Sequence, residues 1–207
     1  FTISREIRGK NIAYRAELDG IRAISIVVVL LHHLGYLNGR GFLGVDIFFT
    51  LSGYLITQVL LATVAKGQPL LGFYRRRVAR LYPIMAISVV IATLVIGYQS
   101  DRDKKPIIAS LLYFKNFLHW GDLFGPFWSL SAEEQFYLVF PLLMILFLKF
   151  TNKRVFTGFL VAVIASVWSY VLWSNYPDYS WNVDGVFNLA VFRPSMILVG
   201  CVLSLNY

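Results

Sequence analysis

The 207-residue sequence has few charged residues and a single cysteine. Only 14% of its residues are charged, whereas soluble domains carry about 25%. Hydrophobic residues make up 57% of the chain, so the composition is that of an integral membrane protein. Cys201 alone cannot form an internal disulfide, and its apolar surroundings suggest no metal site.

Acidic residues are scarcer than basic ones, which gives the chain a formal net charge of +8. In a membrane protein this excess is typical of cytoplasmic loops, and we do not expect nucleic-acid binding. The chain starts with phenylalanine, so we expect its amino end to be incomplete. The polar stretch 1–20 has no hydrophobic region of its own and therefore does not indicate a cleavable signal peptide.

Long apolar runs account for the scarcity of charge. A helix needs roughly 20 apolar residues to cross a bilayer, and six runs approach that length. They lie at 21–37, 42–64, 81–98, 126–148, 155–174 and 186–206. A further run, 106–119, is broken by Lys115 and Asn116, which favours an interfacial or re-entrant segment, with a short span as the alternative. The sequence therefore predicts an all-α, polytopic transmembrane helical bundle without a separate soluble domain.

The distribution of lysine and arginine predicts the orientation of this bundle. Basic residues are frequent in 5–15, 66–80 and 149–154, and they are rare or balanced by aspartate in the intervening loops. Loops rich in lysine and arginine stay on the cytoplasmic side, so we predict a cytoplasmic amino terminus. Tryptophan and tyrosine residues in 173–181 fit an outer interfacial belt, although they are also ordinary loop residues.

Two ionisable residues, Arg22 and His33, lie in the first apolar run. Eleven helical steps of about 100° bring both side chains to one face, about 16 Å apart. Such residues are costly in a membrane and usually mark a functional site. His33 is suited to general-base catalysis, and a histidine satisfied by a backbone carbonyl is the alternative. His32 points about 100° away and is expected to pack against a neighbouring helix or the interface.

Asp46 lies four residues into the second apolar run and needs a partner. Arg22 and His33 are both possible, and the predicted depth in the membrane favours His33, which Asp46 would orient. The glycines at 41, 44 and 53 allow close helix approach or a backbone break. Ser52 is interpreted as a helix-packing hydroxyl rather than a nucleophile.

A cluster of arginines precedes the third run, at Arg75, Arg76, Arg77 and Arg80. One interpretation is an anchor on anionic lipid, because basic residues next to a span attract acidic headgroups. The other is a site for a phosphorylated donor such as coenzyme A, because guanidinium groups bind phosphate in a bidentate manner.

Two adjacent carboxylates, Glu133 and Glu134, lie near the start of the fourth run. They could favour the amino end of a helix that is capped by Ser129 or Ser131. Both acids nevertheless lie five to eight residues inside the apolar run, which favours a functional role. Two weaker candidates are His119, assigned to an interface, and Arg193, which lies within the last run and needs a carboxylate partner.

Four segments in order resemble the acyltransferase 3 family of membrane acyltransferases, which includes O-acetylases of bacterial peptidoglycan and O-antigen. The first contains an arginine and a histidine with ten residues between them, which correspond to Arg22 and His33. The matching segments are 14–33, 41–57, 73–83 and 128–141. After Pro141 the resemblance thins, since the family commonly has a glutamate three residues after an arginine and this chain has Met196 after Arg193.

The resemblance implies the amino-terminal part of one membrane acyltransferase domain, with about six of the family's roughly ten spans. The implied reaction transfers an acyl group, usually acetyl, from cytoplasmic acyl-CoA to a hydroxyl of a carbohydrate or cell-envelope glycan. A macrolide, a lipid or an exported sugar remains possible as the acceptor. The implied location is the cytoplasmic (inner) membrane of a bacterium, and no metal is implied.

The resemblance also implies roles for individual residues. His33 would act as general base or acyl-handling group, and Arg22 would stabilise negative charge or bind the donor. The donor's phosphates would be held by Arg75 and Arg77, with Arg80 in the same cluster. Either Glu133 or Glu134 would orient or balance these cations.

Two other classes of protein also fit the intramembrane charges. A transporter or channel could use Arg22, His33 and Asp46 as a proton or anion relay. A scaffolding membrane protein could use the same charges only to pair its helices. Consumption of acyl-CoA distinguishes the enzyme from the transporter. Loss of abundance on mutation of His33 would favour the scaffold.

Overall fold

The computed structural model describes residues 15–37, 41–96, 104–118, 124–174 and 191–207. Within these ranges the regular structure is helical, which confirms the all-α prediction. The α-helices are α1 (Ala16–His33), α2 (Phe42–Ala65), α3 (Leu70–Ile96), α4 (Lys104–Leu111), α5 (Phe127–Phe150), α6 (Lys153–Ser174) and α7 (Ser195–Asn206), and Lys115–Phe117 forms a 3-10 turn.

Four of these helices, α2, α3, α5 and α6, are long and apolar enough to cross a membrane. The 18-residue helix α1 carries Glu17, Asp19 and Arg22 in its first two turns and is more polar than these four. Helix α7 is apolar but has 12 residues, and the first part of the sixth predicted run lies outside the described ranges. The six predicted spans are therefore visible only in part.

Successive long helices alternate in direction, as expected for a chain that crosses a membrane repeatedly. Helices α2 and α7 run parallel, because Asp46 meets Arg193 near their starts and Gly53 meets Ile197 further along both chain segments, about two turns later in α2 and one turn later after Arg193. The ring of Trp128, at the start of α5, lies against rings near the start of α2, so α5 runs the same way. Helices α1, α3 and α6 run in the opposite direction, as their contacts with α2, α5 and α7 indicate.

The main core lies between α2, α5, α6 and α7, with one side chain from α3. Burial of these large apolar side chains stabilises the arrangement by roughly 1.5–3 kcal/mol each relative to exposure in water, with a smaller gain where the alternative is lipid. The core residues are Ile56, Leu60, Leu61, Phe73, Tyr137, Phe140, Met144, Leu148, Phe156, Leu160, Cys201 and Leu205.

Glycines bring α2 and α7 into direct backbone contact. A Cβ atom on Gly53 would overlap the carbonyl oxygen of Ile197, and a Cβ atom on Gly200 would overlap that of Thr50. The thiol of Cys201 lies in the same contact, with Sγ 3.5 Å from the carbonyl oxygen of Gly53. Small residues allow helices to approach this closely in a membrane, so the close approach predicted for Gly53 is confirmed.

The segment predicted to be interfacial or re-entrant does not form one continuous helix. Helix α4 ends at Leu111, and Tyr113 then adopts a positive φ of 57°. This left-handed conformation is uncommon for a residue with a side chain, and it occurs just after the helix ends. The 3-10 turn follows and packs against α5, so the described part of this segment, 104–118, contains no helix long enough to span a membrane. Whether it is interfacial or re-entrant stays a prediction.

Candidate functional site

Helix α1 carries the first two predicted site residues and packs on α2 through a face that includes Ser25 and Val29. Arg22 and His33 are both helical, so they lie near one edge of this face, about 16 Å apart along the axis. His32 packs against the start of α2, with its ring 6.1 Å from that of Phe42. This confirms that His32 contacts a neighbouring helix.

His33 is exposed at the last turn of α1, and its Nδ1 lies 2.8 Å from the carbonyl oxygen of Val29. A carbonyl oxygen only accepts hydrogen bonds, so Nδ1 carries the proton in this contact. In the neutral imidazole the lone pair is then on Nε2, which is able to accept a proton. This is the backbone-carbonyl contact that the alternative interpretation of His33 predicted, and it leaves Nε2 without a partner in this contact. The general-base role of His33 stays a prediction.

The prediction that Asp46 orients His33 is wrong. Asp46 Oδ2 lies 2.5 Å from Nη1 of Arg193, which lies two residues before the start of α7. The interaction follows from the parallel packing of α2 and α7, because it places the starts of both helices at the same level. Arg193 was predicted to lie within the last apolar run and to need a carboxylate, and Asp46 is that carboxylate.

Aromatic rings surround the pair formed by Asp46 and Arg193. The guanidinium carbon of Arg193 lies 4.7 Å from the ring centre of Phe42 and 5.5 Å from that of Phe192. Asp46 and Arg193 keep only 17% and 21% of their side chains exposed, and one polar atom of each is buried without a hydrogen-bond partner in the described part of the chain. Low exposure strengthens the ion pair and makes the loss of either partner costly.

The arginine cluster lies on a helix rather than in the loop that was predicted. Helix α3 begins at Leu70, eleven residues before the predicted start of the third apolar run. Steps of about 100° place Arg80 about 60° from Arg77, whereas Arg75 leaves the opposite side of the helix. Arg75 and Arg80 are exposed and form no ion pair within the described ranges.

Arg77 brings the basic and acidic segments of the sequence together. Its Nε lies 3.3 Å from Glu134 Oε1, and its Nη2 lies 4.0 Å from Glu133 Oε1. The contact arises because α3 and α5 are antiparallel, with the hydroxyl of Tyr74 donating to the carbonyl of Leu138 one turn away. The structure thus brings Arg77, Glu133 and Glu134 together and leaves the other candidate arginines outside this cluster.

Tyr137 is the fourth residue of this cluster and contacts both Glu133 and Arg77. Its hydroxyl donates to Glu133, and the guanidinium group of Arg77 lies over its ring. A cation above an aromatic face is attracted by the ring quadrupole, so Tyr137 supports the position of Arg77. Ser52 of α2 is buried beside Tyr137. Sequence reasoning did not select Tyr137, although it follows Glu133 by four residues and so lies on the same helical face.

Neither Ser129 nor Ser131 caps α5, contrary to the predicted alternative. The helix begins at Phe127, so both serines lie inside its first two turns. Their hydroxyls donate to the carbonyls of Pro126 and Phe127 respectively. Glu133 and Glu134 therefore lie in the second turn rather than at the amino end, where a helix dipole would favour them most.

Other predicted features are only partly visible or have weaker partners. Arg22 Nη1 lies 3.9 Å from Asp19, and its Nε is buried without a hydrogen-bond partner in the described part of the chain. His119 and most of the aromatic residues assigned to an outer belt lie outside the described residues.

The part of the chain that carries these residues matches a known protein family. The model of the acyltransferase 3 family, described as an acyltransferase domain, matches residues 15–207. The chain belongs to this family. All the candidate residues described above lie within the matched range, as do the four segments whose order resembled the family, apart from Tyr14 at the start of the first.

Curated relatives agree with this assignment. The chain is 34% identical over 182 residues to the peptidoglycan O-acetyltransferase OatA of Listeria monocytogenes, a match that covers 77% of this chain and 29% of the relative. It is 36% identical over 173 residues to the O-acetyltransferase OatA of Staphylococcus aureus strain NCTC 8325, which covers 73% of this chain and 28% of that protein. A putative O-acetyltransferase of S. aureus strain MSSA476 is 37% identical over 170 residues, with the same coverage.

The chain spans less than a third of the length of these relatives. No solved structure matches it. The apolar helices and the acetyltransferase relatives together fit a multi-pass membrane protein.

Proposed function

We propose that this chain is the amino-terminal part of a membrane O-acyltransferase of the acyltransferase 3 family. It would transfer an acetyl group from cytoplasmic acyl-CoA to a hydroxyl of a cell-envelope glycan. The observation that carries the proposal is the family match, together with relatives that are named O-acetyltransferases. The cluster of Arg77 with two glutamates supports it.

His33 is the proposed general base. Its Nε2 would accept the proton of the acceptor hydroxyl while the hydroxyl oxygen attacks the thioester carbonyl. The bond between the carbonyl carbon and sulfur then breaks, the acyl group forms an ester with the acceptor, and coenzyme A leaves as a thiolate that takes up a proton. Arg22 lies about 16 Å from His33 along the same helix face, too far to contact the same carbonyl group, so its proposed role is to bind the donor.

Arg77 and Arg80 are the proposed contacts for the phosphates of the donor, because they share one side of α3. Glu133 and Glu134 hold Arg77 in place and balance its charge while the site is empty. By the positive-inside rule the arginine-rich end of α3 is cytoplasmic, which is the side where acyl-CoA is available. Arg77 itself meets the second turn of α5, whose first turn packs on Phe42 and Phe49 of α2, so the proposed phosphate site lies within a few helical turns of the pair formed by Asp46 and Arg193.

The test uses purified full-length protein with acetyl-CoA and a peptidoglycan fragment as acceptor, and it measures release of free coenzyme A. We expect the wild type to release coenzyme A, and His33→Ala to be slower by at least about 100-fold. The matched control is Ser166→Ala on α6, an exposed residue whose hydroxyl bonds only to the helix backbone. It should keep the wild-type rate.

Two results would contradict the proposal. A folded, normally expressed His33→Ala protein with the wild-type rate would remove His33 from the mechanism. A wild-type protein that consumes no acetyl-CoA would favour the transporter or channel, which needs no acyl donor.

A further inference from the structure

A second group of polar contacts lies where the 3-10 turn Lys115–Phe117 and the residues before it pack against α5. The side-chain amides of Asn116 and Gln135 bond to each other in both directions, at 3.0 and 2.9 Å. Gln135 also donates to the backbone carbonyl of Tyr113 at 2.5 Å. The hydroxyl of Ser131 accepts from the backbone N–H of Lys115 at 3.3 Å. One turn of α5 is thereby joined to the segment that precedes it.

This contact is buried, which makes its hydrogen bonds specific. Asn116 and Ser131 are 0% exposed. An unpaired amide in such a place would lose its full hydration, whereas a reciprocal pair satisfies a donor and an acceptor on each side chain. The pair therefore favours a single rotation of α5 about its axis over neighbouring rotations that would separate the amides.

The same turn of α5 carries the carboxylates that contact Arg77. On a helix, Glu134 lies about 60° from Ser131 and about 100° from Gln135, and Glu133 lies further round. Glu134 is thus between the amide contact on one side and Arg77 on the other.

We propose that Asn116 and Gln135 are positioning residues for binding of the acyl donor. Their amide pair fixes the rotation of α5 at which Glu133 and Glu134 both meet Arg77, and so it sets where the guanidinium group points. Neither amide contacts the donor. The inference rests on the proposed function, in which Arg77 binds the donor's phosphates.

The experiment exchanges the two amides in the full-length protein. Gln135→Asn alone makes the pair of side chains one methylene too short, and Asn116→Gln alone makes it one methylene too long. The double exchange restores the combined length of the two side chains. With acetyl-CoA as donor and saturating acceptor, each single variant should raise KM for acetyl-CoA about tenfold or more, with kcat within about threefold. The double exchange should return KM to within about threefold of wild type.

Ser129→Ala is the matched control, because this residue also lies on α5 but bonds only to the backbone of Pro126. Its KM should not change. If both single variants fail to fold, the double exchange decides, since a folded protein with wild-type KM supports the inference and an unfolded one overturns it.

The inference is overturned if the folded single variants keep the wild-type KM, which would make the pair merely structural. It is also overturned if the double exchange is no better than the worse single variant. A wild-type protein that consumes no acetyl-CoA overturns the proposed function and this inference with it. An active wild type with unchanged KM in the variants overturns the inference alone.

Discussion

Arg193 and Arg77 each find acidic partners on a different helix, far away along the chain. Arg193 meets Asp46 across 147 positions, and Arg77 meets Glu133 and Glu134 across more than fifty. In an apolar environment an isolated charge is costly, so these partners determine which helix faces meet. The residues that must be paired were therefore recognisable from the sequence. Their partners were not, because periodicity gives the faces of one helix and not the order of helices around the bundle.

Asp46 illustrates the difference. The predicted depth in the membrane correctly placed Asp46 near the end of α1. His33 was chosen as its partner because it was the ionisable residue predicted at the same depth. The competing cation, Arg193, was assigned to the middle of an apolar run. In the structure it precedes α7 by two residues and lies at the level of Asp46.

Removal of one member of this ion pair should destabilise the protein. We expect Arg193→Gln to lower the free energy of unfolding by about 3 kcal/mol, because Asp46 is left partly buried without its counter-charge. The double variant Asp46→Asn with Arg193→Gln should regain at least half of that loss, since neither charge remains. Unfolding in detergent measures both values. A loss below about 1 kcal/mol in the single variant would show that the pair contributes little.

Arg75 and Arg80, two exposed arginines of α3, should differ in their effect on the donor. Arg80→Ala should raise KM for acetyl-CoA about tenfold, because one charged hydrogen bond to phosphate is lost on the side of Arg77. Arg75→Ala should change KM less than threefold, because its side chain leaves the opposite side of the helix. Neither residue has an ion pair in the described ranges, so both variants should unfold at the wild-type temperature. Equal effects on KM would contradict this assignment.

At the scale of helices, the bounds of α2, α5 and α6 were predictable to within a few residues because hydropathy marks their whole length. The start of α3 was not, since its first turns carry arginines that hydropathy assigns to a loop. Arginine is nevertheless a good helix former, so the helix extends back to Leu70. The break in helical structure at Tyr113 was also not predictable, because no glycine marks its positive φ.

The glycine contact between α2 and α7 provides a test at this scale. Gly53→Ala places a methyl group where the backbone of Ile197 lies, so the helices must separate. We expect a loss of about 1–3 kcal/mol in the free energy of unfolding. Gly158→Ala on α6 is the control, because nothing lies within 4 Å of the new methyl group. It should be neutral or stabilising by up to about 1 kcal/mol. Similar losses for the two variants would argue against backbone contact.

At the scale of the whole molecule, the relative directions of the helices agree with the alternation predicted from the basic loops. The loop between α2 and α3 and the loop between α5 and α6 therefore lie on the same side of the helical bundle. The side of the membrane itself stays a prediction from the positive-inside rule.

Cysteine labelling in intact cells tests this topology. In a Cys201→Ala background, a membrane-impermeant thiol reagent should label Tyr36→Cys in the turn after α1. It should not reach Gln68→Cys or Thr151→Cys until the cells are permeabilised, because we predict that both loops are cytoplasmic. All three positions are exposed in the structure. Labelling of Gln68→Cys and Thr151→Cys from opposite sides of the membrane would contradict the parallel packing of α2 and α5. If both are labelled in intact cells and Tyr36→Cys is not, the predicted orientation in the membrane is inverted.

The position of Cys201 in the bundle makes its thiol useful for measuring helix separation. The thiol of Cys201 is enclosed where α2 and α7 touch backbone to backbone, so a reagent reaches it only after these helices part. Its rate of modification therefore measures how often the centre of the bundle opens. Motion of the outer helices alone leaves this rate unchanged, whereas separation of α2 and α7 raises it. Cys201 is thus a native probe that distinguishes the two motions.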